Sequence, residues 1–256
     1  MSDLDGTTYL GDRLLPGARE LYDLLHEQGR KILYLTNNSS RSAEEYRGKL
    51  SRLGIPALPS EVLTSGTATI RYLRQQGNCR RLFALAAPGF EGELRSAGFQ
   101  LVSDVADRPD CVVLAFDTTL TYEKLRRACA MILAGARFVA THPDPVCPTP
   151  DGPIPDCGSM IALISKATGA VPTVIGKPNR AMLTYALEHI GCAANEAAMI
   201  GDRLATDMRI GIQAGLTTIL VESSATAREN RAPELAAIEP DYRLASLMEL
   251  IEQLQR

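Results

Sequence analysis

Four stretches of this chain share one pattern: a strand-like segment, then acids, amides or a lysine where the strand should end, then a helix. They are Asp3-Leu4-Asp5-Gly6-Thr7, Thr36-Asn37-Asn38, Gly176-Lys177-Pro178 and Gly201-Asp202-Arg203-Leu204-Ala205-Thr206-Asp207. Strands alternating with helices at this spacing demand a parallel sheet with helices on both faces. In such sheets the carboxyl ends of the strands share one edge, and ligands bind there. Each stretch alone is weak. Asp-Gly is ordinary turn chemistry, and Ser40 or Ser42 after Asn38 could be a plain helix N-cap or part of an anion site. Their shared placement predicts four carboxylates, one lysine and a set of hydroxyl and amide donors at one edge. That set suits Mg²⁺-assisted phosphoryl transfer, because hard cations take oxygen ligands and a lysine neutralises phosphoryl oxygens.

The order of elements gives a doubly wound α/β core interrupted by a second α/β series. A helix carries Leu21, Leu24 and Leu25 and ends at Gly29. Lys31–Thr36 reads as a buried strand, 43–53 as a helix, 55–60 as a loop and 65–76 as a helix ending at Gly77. From Arg80 new strands are expected at 82–86, 111–116 and 137–141, with helices at 92–98, 121–135 and 159–168. Between them, 142–155 is a proline-rich loop. Strand and turn return at 173–178, followed by a helix at 179–190, strands at 197–200 and 217–221, and a tail of strand and helix over 242–254. No linker separates the second series, so residues 78–173 read as an insertion between 1–77 and 174–256.

Composition narrows the function. The 256 residues are 45% hydrophobic and 22% charged, with net charge −3 from 27 basic and 30 acidic side chains. That balance has no nucleic-acid footprint. No apolar run approaches the roughly 20 residues that span a bilayer, and the opening does not read as a signal peptide. A cytoplasmic location is expected. The six cysteines form no CxxC pair, and reduced thiols are expected. One element is short: a buried strand of about five residues should precede Asp3, and only Met1 and Ser2 do. The expectation is that the native reading frame opens further upstream.

In order and content the four stretches resemble the four motifs of the haloacid dehalogenase superfamily. The short first gap and the long insertion before Gly176 resemble its p-nitrophenylphosphatase/NagD-like branch (subfamily IIA), whose α/β cap is inserted there. Leu120–Leu125, Thr141-His142-Pro143-Asp144-Pro145 and Pro240-Asp241-Tyr242 resemble that branch too. The resemblance implies a phosphomonoester hydrolase for a small metabolite: a sugar phosphate, nucleoside monophosphate, glycerol phosphate or pyridoxal phosphate. It implies Asp3 as the nucleophile forming an aspartyl-phosphate. Asp5 would be the general acid and base, its carbonyl also binding Mg²⁺. Thr36 and the Asn37 amide would hold the phosphoryl group, and Lys177 would steady nucleophile and phosphate. Asp3, Asp5 and Asp202 would be the metal ligands, with Asp207 supporting the metal's waters or Lys177. Asp5 argues against dehalogenation, since the metal-free dehalogenases lack it. His142 and Asp144 would meet the substrate from the cap. A phosphotransferase or mutase, and a non-catalytic binding homologue, are the alternatives, and a homodimer is a possible assembly. Two departures fall in the cap loop. His142 stands where the branch commonly has Asn, and Asp156-Cys157-Gly158-Ser159 replaces a run of small residues.

Overall fold

Strand and helix alternate through the computed structural model, which describes residues 1–255. A hairpin of Tyr9–Leu10 (β1) and Arg13–Leu14 (β2) precedes helix Ala18–Glu27 (α1). Then come Tyr34–Thr36 (β3), Ala43–Arg52 (α2), Val62–Thr64 (β4) and Ser65–Gln76 (α3). The second series runs Arg81–Leu85 (β5), Pro88–Ser96 (α4), Gln100–Leu101 (β6), Cys111–Leu114 (β7), Tyr122–Leu133 (α5) and Arg137–Ala140 (β8). It continues through Val146–Cys147 (β9), Ile154–Pro155 (β10), Cys157–Thr168 (α6) and Thr173–Val174 (β11). Helix Arg180–Ile190 (α7), Ala198–Gly201 (β12), Arg209–Ala214 (α8), Thr217–Val221 (β13), Tyr242–Leu244 (β14) and Leu247–Leu254 (α9) complete the chain.

The first sheet is wholly parallel, in the order β4-β3-Ser2-β12-β13-β14. Its centre is the segment Met1–Asp3. Ser2 donates its N–H to Leu33 O at 2.9 Å and accepts from Leu35 N at 2.8 Å. On the other side Ile200 N donates to Met1 O, and Asp3 N to Ile200 O, both at 2.9 Å. The pairing that a central strand must make on both flanks is thus made by three residues.

Period-2 alternation sorts the side chains of this sheet between two faces. Leu35, Leu63, Met199 and Leu220 join one buried cluster, and Tyr34, Val62, Ile200, Ile219 and Val221 the other. The second sheet, β11-β8-β7-β5-β6, is also parallel. Its Leu82, Val113 and Val139 share the first cluster with the core sheet, whereas Phe83, Val112 and Phe138 pack on α5 and α6. The boundary expected at 173/174 falls inside β11, which pairs with β8.

Several expectations are corrected. Val62–Thr64 forms β4, an edge strand whose three residues are too few to stand out beside Pro59, Ser60 and Glu61. Helix α4 starts at Pro88, placed in its first turn, where the missing N–H is no loss. The proline-rich loop holds the antiparallel pair β9–β10. Ser42, not Ser40, caps α2, in a reciprocal box with Glu45. The cysteines are not all reduced: Cys79 and Cys111 form a disulfide. Cys79 precedes β5 and Cys111 opens the neighbouring β7, so parallel pairing sets their Cα atoms 6.1 Å apart. Spacing along the chain carried no such signal. No helix among the described residues is long and apolar enough to cross a membrane.

Candidate active site

Strand order brings the four stretches to one edge. Asp3 ends the central segment, Asn37 follows β3, Lys177 follows β11, and Asp202 follows β12. Directly after Asp3 the chain must turn away. Gly6 does this at φ +96°, a conformation L side chains rarely adopt, and a Cβ there would overlap the Asp202 carboxylate. Thr8 Oγ1 donates to Asp3 O at 2.7 Å. Thr7 Oγ1 donates to Asp202 Oδ1 at 3.0 Å, which ties the first stretch to the last.

Lys177 is the hub. Its Nζ donates to Asp3 Oδ1 at 2.5 Å, Asp207 Oδ1 at 2.7 Å and Leu35 O at 2.8 Å, so all three protons are used. The residue is buried. Burial alone would lower its pKa, but Asp207 and Asp3 outweigh that and raise it, so the ammonium stays charged. Burial pushes the Asp3 carboxyl up, against the pull of Lys177. Gly176, before the lysine, has no room for a Cβ: Asn37 Oδ1 would lie 2.6 Å away and Thr141 O 2.7 Å. Asp207 sits on a wide helical turn, 204–208, and its Oδ2 accepts from Arg203 N at 3.1 Å. Such turns are rare and frequent at functional sites.

Asp202 is buried and held from three sides. Besides Thr7, Thr226 Oγ1 donates to its Oδ2 and to its backbone oxygen, both at 2.9 Å, and Asn230 Nδ2 donates to that backbone oxygen at 2.7 Å. Its carboxyl is pushed up to about 7 by burial and by Asp207. Carboxylate oxygens of Asp3, Asp202 and Asp207 lie within 4.8 Å of one another. Lys177 bridges Asp3 and Asp207, while Arg203 is paired with Asp144 and Glu229, so the buried acids outnumber their cations, which a low-dielectric site disfavours. Oxygen donors in excess of neutralising charge fit a small hard cation, with Asp3 and Asp202 placed to hold it.

Asp5 is raised by burial, opposed by the Lys49 ammonium, and its Oδ2 has no hydrogen-bond partner among the described residues. A carboxyl shifted toward its neutral form, with an oxygen left free, suits a general acid. Thr36 Oγ1 accepts from Asn38 N at 3.0 Å, which leaves its own proton to donate. The Asn37 side chain is committed elsewhere. Its Nδ2 donates to Lys177 O and to Asp144 Oδ1, and its Oδ1 accepts from Lys177 N.

The loop 142–156 closes over this edge. Arg203 Nη1 meets Asp144 Oδ2 at 3.2 Å, and Nη2 donates to Val146 O at 3.2 Å. Asp144 therefore joins Asn37 to Arg203. His142 is fully buried, 3.7 Å from Asp144 and 3.4 Å from Asp156, and neither ring nitrogen has a hydrogen-bond partner among the described residues. What remains open is a cavity of about 30 Å³ lined by Asp3, Asp5, Thr36, Asp144, Asp156 and Arg203. That space is small beside the roughly 300–1,000 Å³ of a typical ligand pocket.

Thr226, Asn230, Arg203 and Asp156 were not assigned by sequence reasoning. The first two come from the stretch after Val221, which carries no motif. Arg203 lay inside a quoted motif, where its neighbours took the roles.

A family model described as haloacid dehalogenase-like hydrolase matches residues 1–100, and a second, HAD-hydrolase-like, matches 174–250. The acid sugar phosphatase of Staphylococcus aureus (strain USA300) is 35% identical over 254 residues, 99% of this chain and 96% of that one. The crystal structure of 4-nitrophenylphosphatase from Thermotoga maritima superposes with a TM-score of 0.89 at 40% identity, covering 98% of this chain and 95% of that one. The glycerol phosphate phosphatase of Mycobacterium tuberculosis, in complex with magnesium, superposes with a TM-score of 0.86 at 33% identity, covering 98% and 75%.

Proposed function

Because this chain belongs to the haloacid dehalogenase-like hydrolases and is a phosphatase of that family, we propose that it hydrolyses a small phosphomonoester through a phosphorylated Asp3, with Mg²⁺ as cofactor. Residues 81–174 and their helices act as the cap. The substrate is a sugar phosphate or a comparable polyol phosphate, in keeping with the names of its relatives. The observation that carries the reading is the bridge of Lys177 Nζ between Asp3 Oδ1 and Asp207 Oδ1, with Asp202 beside it.

Lys177 occupies Asp3 Oδ1, which leaves Oδ2 as the attacking oxygen. As Oδ2 bonds to phosphorus, the bond from phosphorus to the ester oxygen breaks and Asp5 delivers its proton to the leaving alkoxide. Asp5, now a carboxylate, takes a proton from water. The water oxygen bonds to phosphorus, the Asp3–phosphorus bond breaks, and inorganic phosphate leaves. Thr36 donates its hydroxyl proton to the phosphoryl oxygens, and the Lys177 charge offsets the negative charge that gathers in the transition state. Asp3, Asp202 and the Asp5 carbonyl are the residues that would hold Mg²⁺, which when bound supplies further charge neutralisation on phosphate. Asp207 holds the lysine. The loop 142–156 keeps bulk water out while it is closed.

The test is inorganic phosphate release from p-nitrophenyl phosphate, with and without Mg²⁺, on this chain and on Asp3→Asn. Metal-dependent release that is absent in Asp3→Asn is expected. Equal release by the variant would contradict the nucleophile assignment.

A further inference from the structure

Asp144 and Asp156 both reach the cavity, but only one of them has an oxygen to offer. Asp144 Oδ1 accepts from Asn37 at 3.0 Å, and its Oδ2 pairs with Arg203 at 3.2 Å. Asp156 is buried at the start of α6. Cys157 N donates to its Oδ1 at 2.6 Å, and His142 Nε2 lies 3.4 Å from the same oxygen. Both contacts use Oδ1, so Oδ2 accepts no hydrogen bond among the described residues, and Asp156 lines the cavity that also holds Asp3 and Asp5. Arg203, the cation lining the cap side, is already engaged by Asp144, Val146 O and Glu229.

We propose that Asp156 is the specificity-determining residue of this chain: its free oxygen accepts a hydrogen bond from a hydroxyl on the alcohol part of the substrate and repels any second anionic group there. Asp144, expected from sequence to meet the substrate, is instead the positioning residue that fastens the closed loop to Asn37 and Arg203. The inference rests on the phosphatase reading above and narrows it to esters of hydroxyl-bearing alcohols. It also gives a use to the stretch Asp156-Cys157-Gly158-Ser159.

Three substrates separate the possibilities. Glycerol 3-phosphate carries hydroxyl donors, p-nitrophenyl phosphate carries none, and 2-phosphoglycolate carries a carboxylate. Asp156→Asn keeps the shape and the helix cap while removing the charge. Its kcat/KM for glycerol 3-phosphate should fall about tenfold or more, chiefly through KM, as expected for one charge-assisted hydrogen bond. Turnover of p-nitrophenyl phosphate should stay within about threefold, and 2-phosphoglycolate should improve about tenfold. Asp156→Ala should repeat the pattern, with circular dichroism reporting its fold. Parallel loss on glycerol 3-phosphate and p-nitrophenyl phosphate, or no gain on 2-phosphoglycolate, would overturn the assignment. Wild-type chain that releases phosphate from none of the three would overturn the phosphatase reading and this proposal with it.

Discussion

The edge that carries Asp3 and the loop that covers it hold their charges in opposite ways. At the edge, each side chain hangs from a strand end or the turn after it, and one lysine is locked between two carboxylates by bonds of 2.5 and 2.7 Å. In the loop, His142 sits between two carboxylates at 3.4 and 3.7 Å without a hydrogen bond among the described residues, and Asp156 keeps an oxygen free. The edge is built to hold one arrangement, as a reaction with fixed geometry requires. The loop leaves His142 and one Asp156 oxygen unfastened, as the cap role proposed above would need.

Substitutions at the edge should therefore be catastrophic, and those in the loop graded. Lys177→Met would leave Asp3 and Asp207 facing each other without their shared cation. A loss in kcat on the order of 10⁴-fold is expected, with the fold checked by circular dichroism. A loss under about tenfold would place the lysine outside the chemistry. Asp5→Asn should lose roughly 10²–10⁴-fold on alkyl phosphates, whose leaving oxygen needs a proton.

In the loop, Asp144→Ala releases both Arg203 and Asn37. It should raise KM several-fold while leaving kcat closer to wild type than either edge variant, and an equal collapse of kcat would erase the contrast between the regions.

A stability effect, separate from catalysis, is expected at Asp156. Burial pushes this carboxyl up to about 6 from an ordinary 3.8, against the influence of His142, with Asp144 adding to the rise and Arg203 opposing it. Folding thus raises the pKa, so the folded chain binds the proton more tightly than the unfolded one. The stability from this group is fully present below about pH 4 and is lost as pH rises through about 6. Asp156→Asn removes the titration. Against wild type it should gain up to roughly 3 kcal/mol above pH 6, with the gap closing toward pH 4. Urea midpoints at the two pH values check it. The smallest test concerns the second sheet. Thiol titration of the denatured chain should count the four free cysteines before reduction and all six after.

The contrast also explains what the sequence could reveal. Asp3, Asp5, Lys177, Asp202 and Asp207 were legible because they follow strands in short motifs, and parallel topology carries strand ends to one edge. Asp202's outer holders, Thr226 and Asn230, were not, because nothing local marks a residue that reaches the site across a loop. Asp144 was expected to meet the substrate, whereas Asp156 was visible only inside a run without an assigned role. Telling the committed carboxylate from the open one needed the positions of Asn37 and Arg203, which depend on how the loop closes. Strand β4 and the disulfide were hidden for a related reason: each is set by pairing with a neighbour far along the chain.

Whether Asp3 takes the phosphoryl group can be read from the mass of acid-quenched Asp5→Asn after reaction with p-nitrophenyl phosphate. Nitrophenolate leaves without a proton, so the first step proceeds, whereas hydrolysis still needs the Asp5 base and stalls. The account predicts one added phosphoryl group (HPO₃) on the peptide containing Asp3. Phosphate released by Asp5→Asn with no covalent adduct at Asp3 would contradict it.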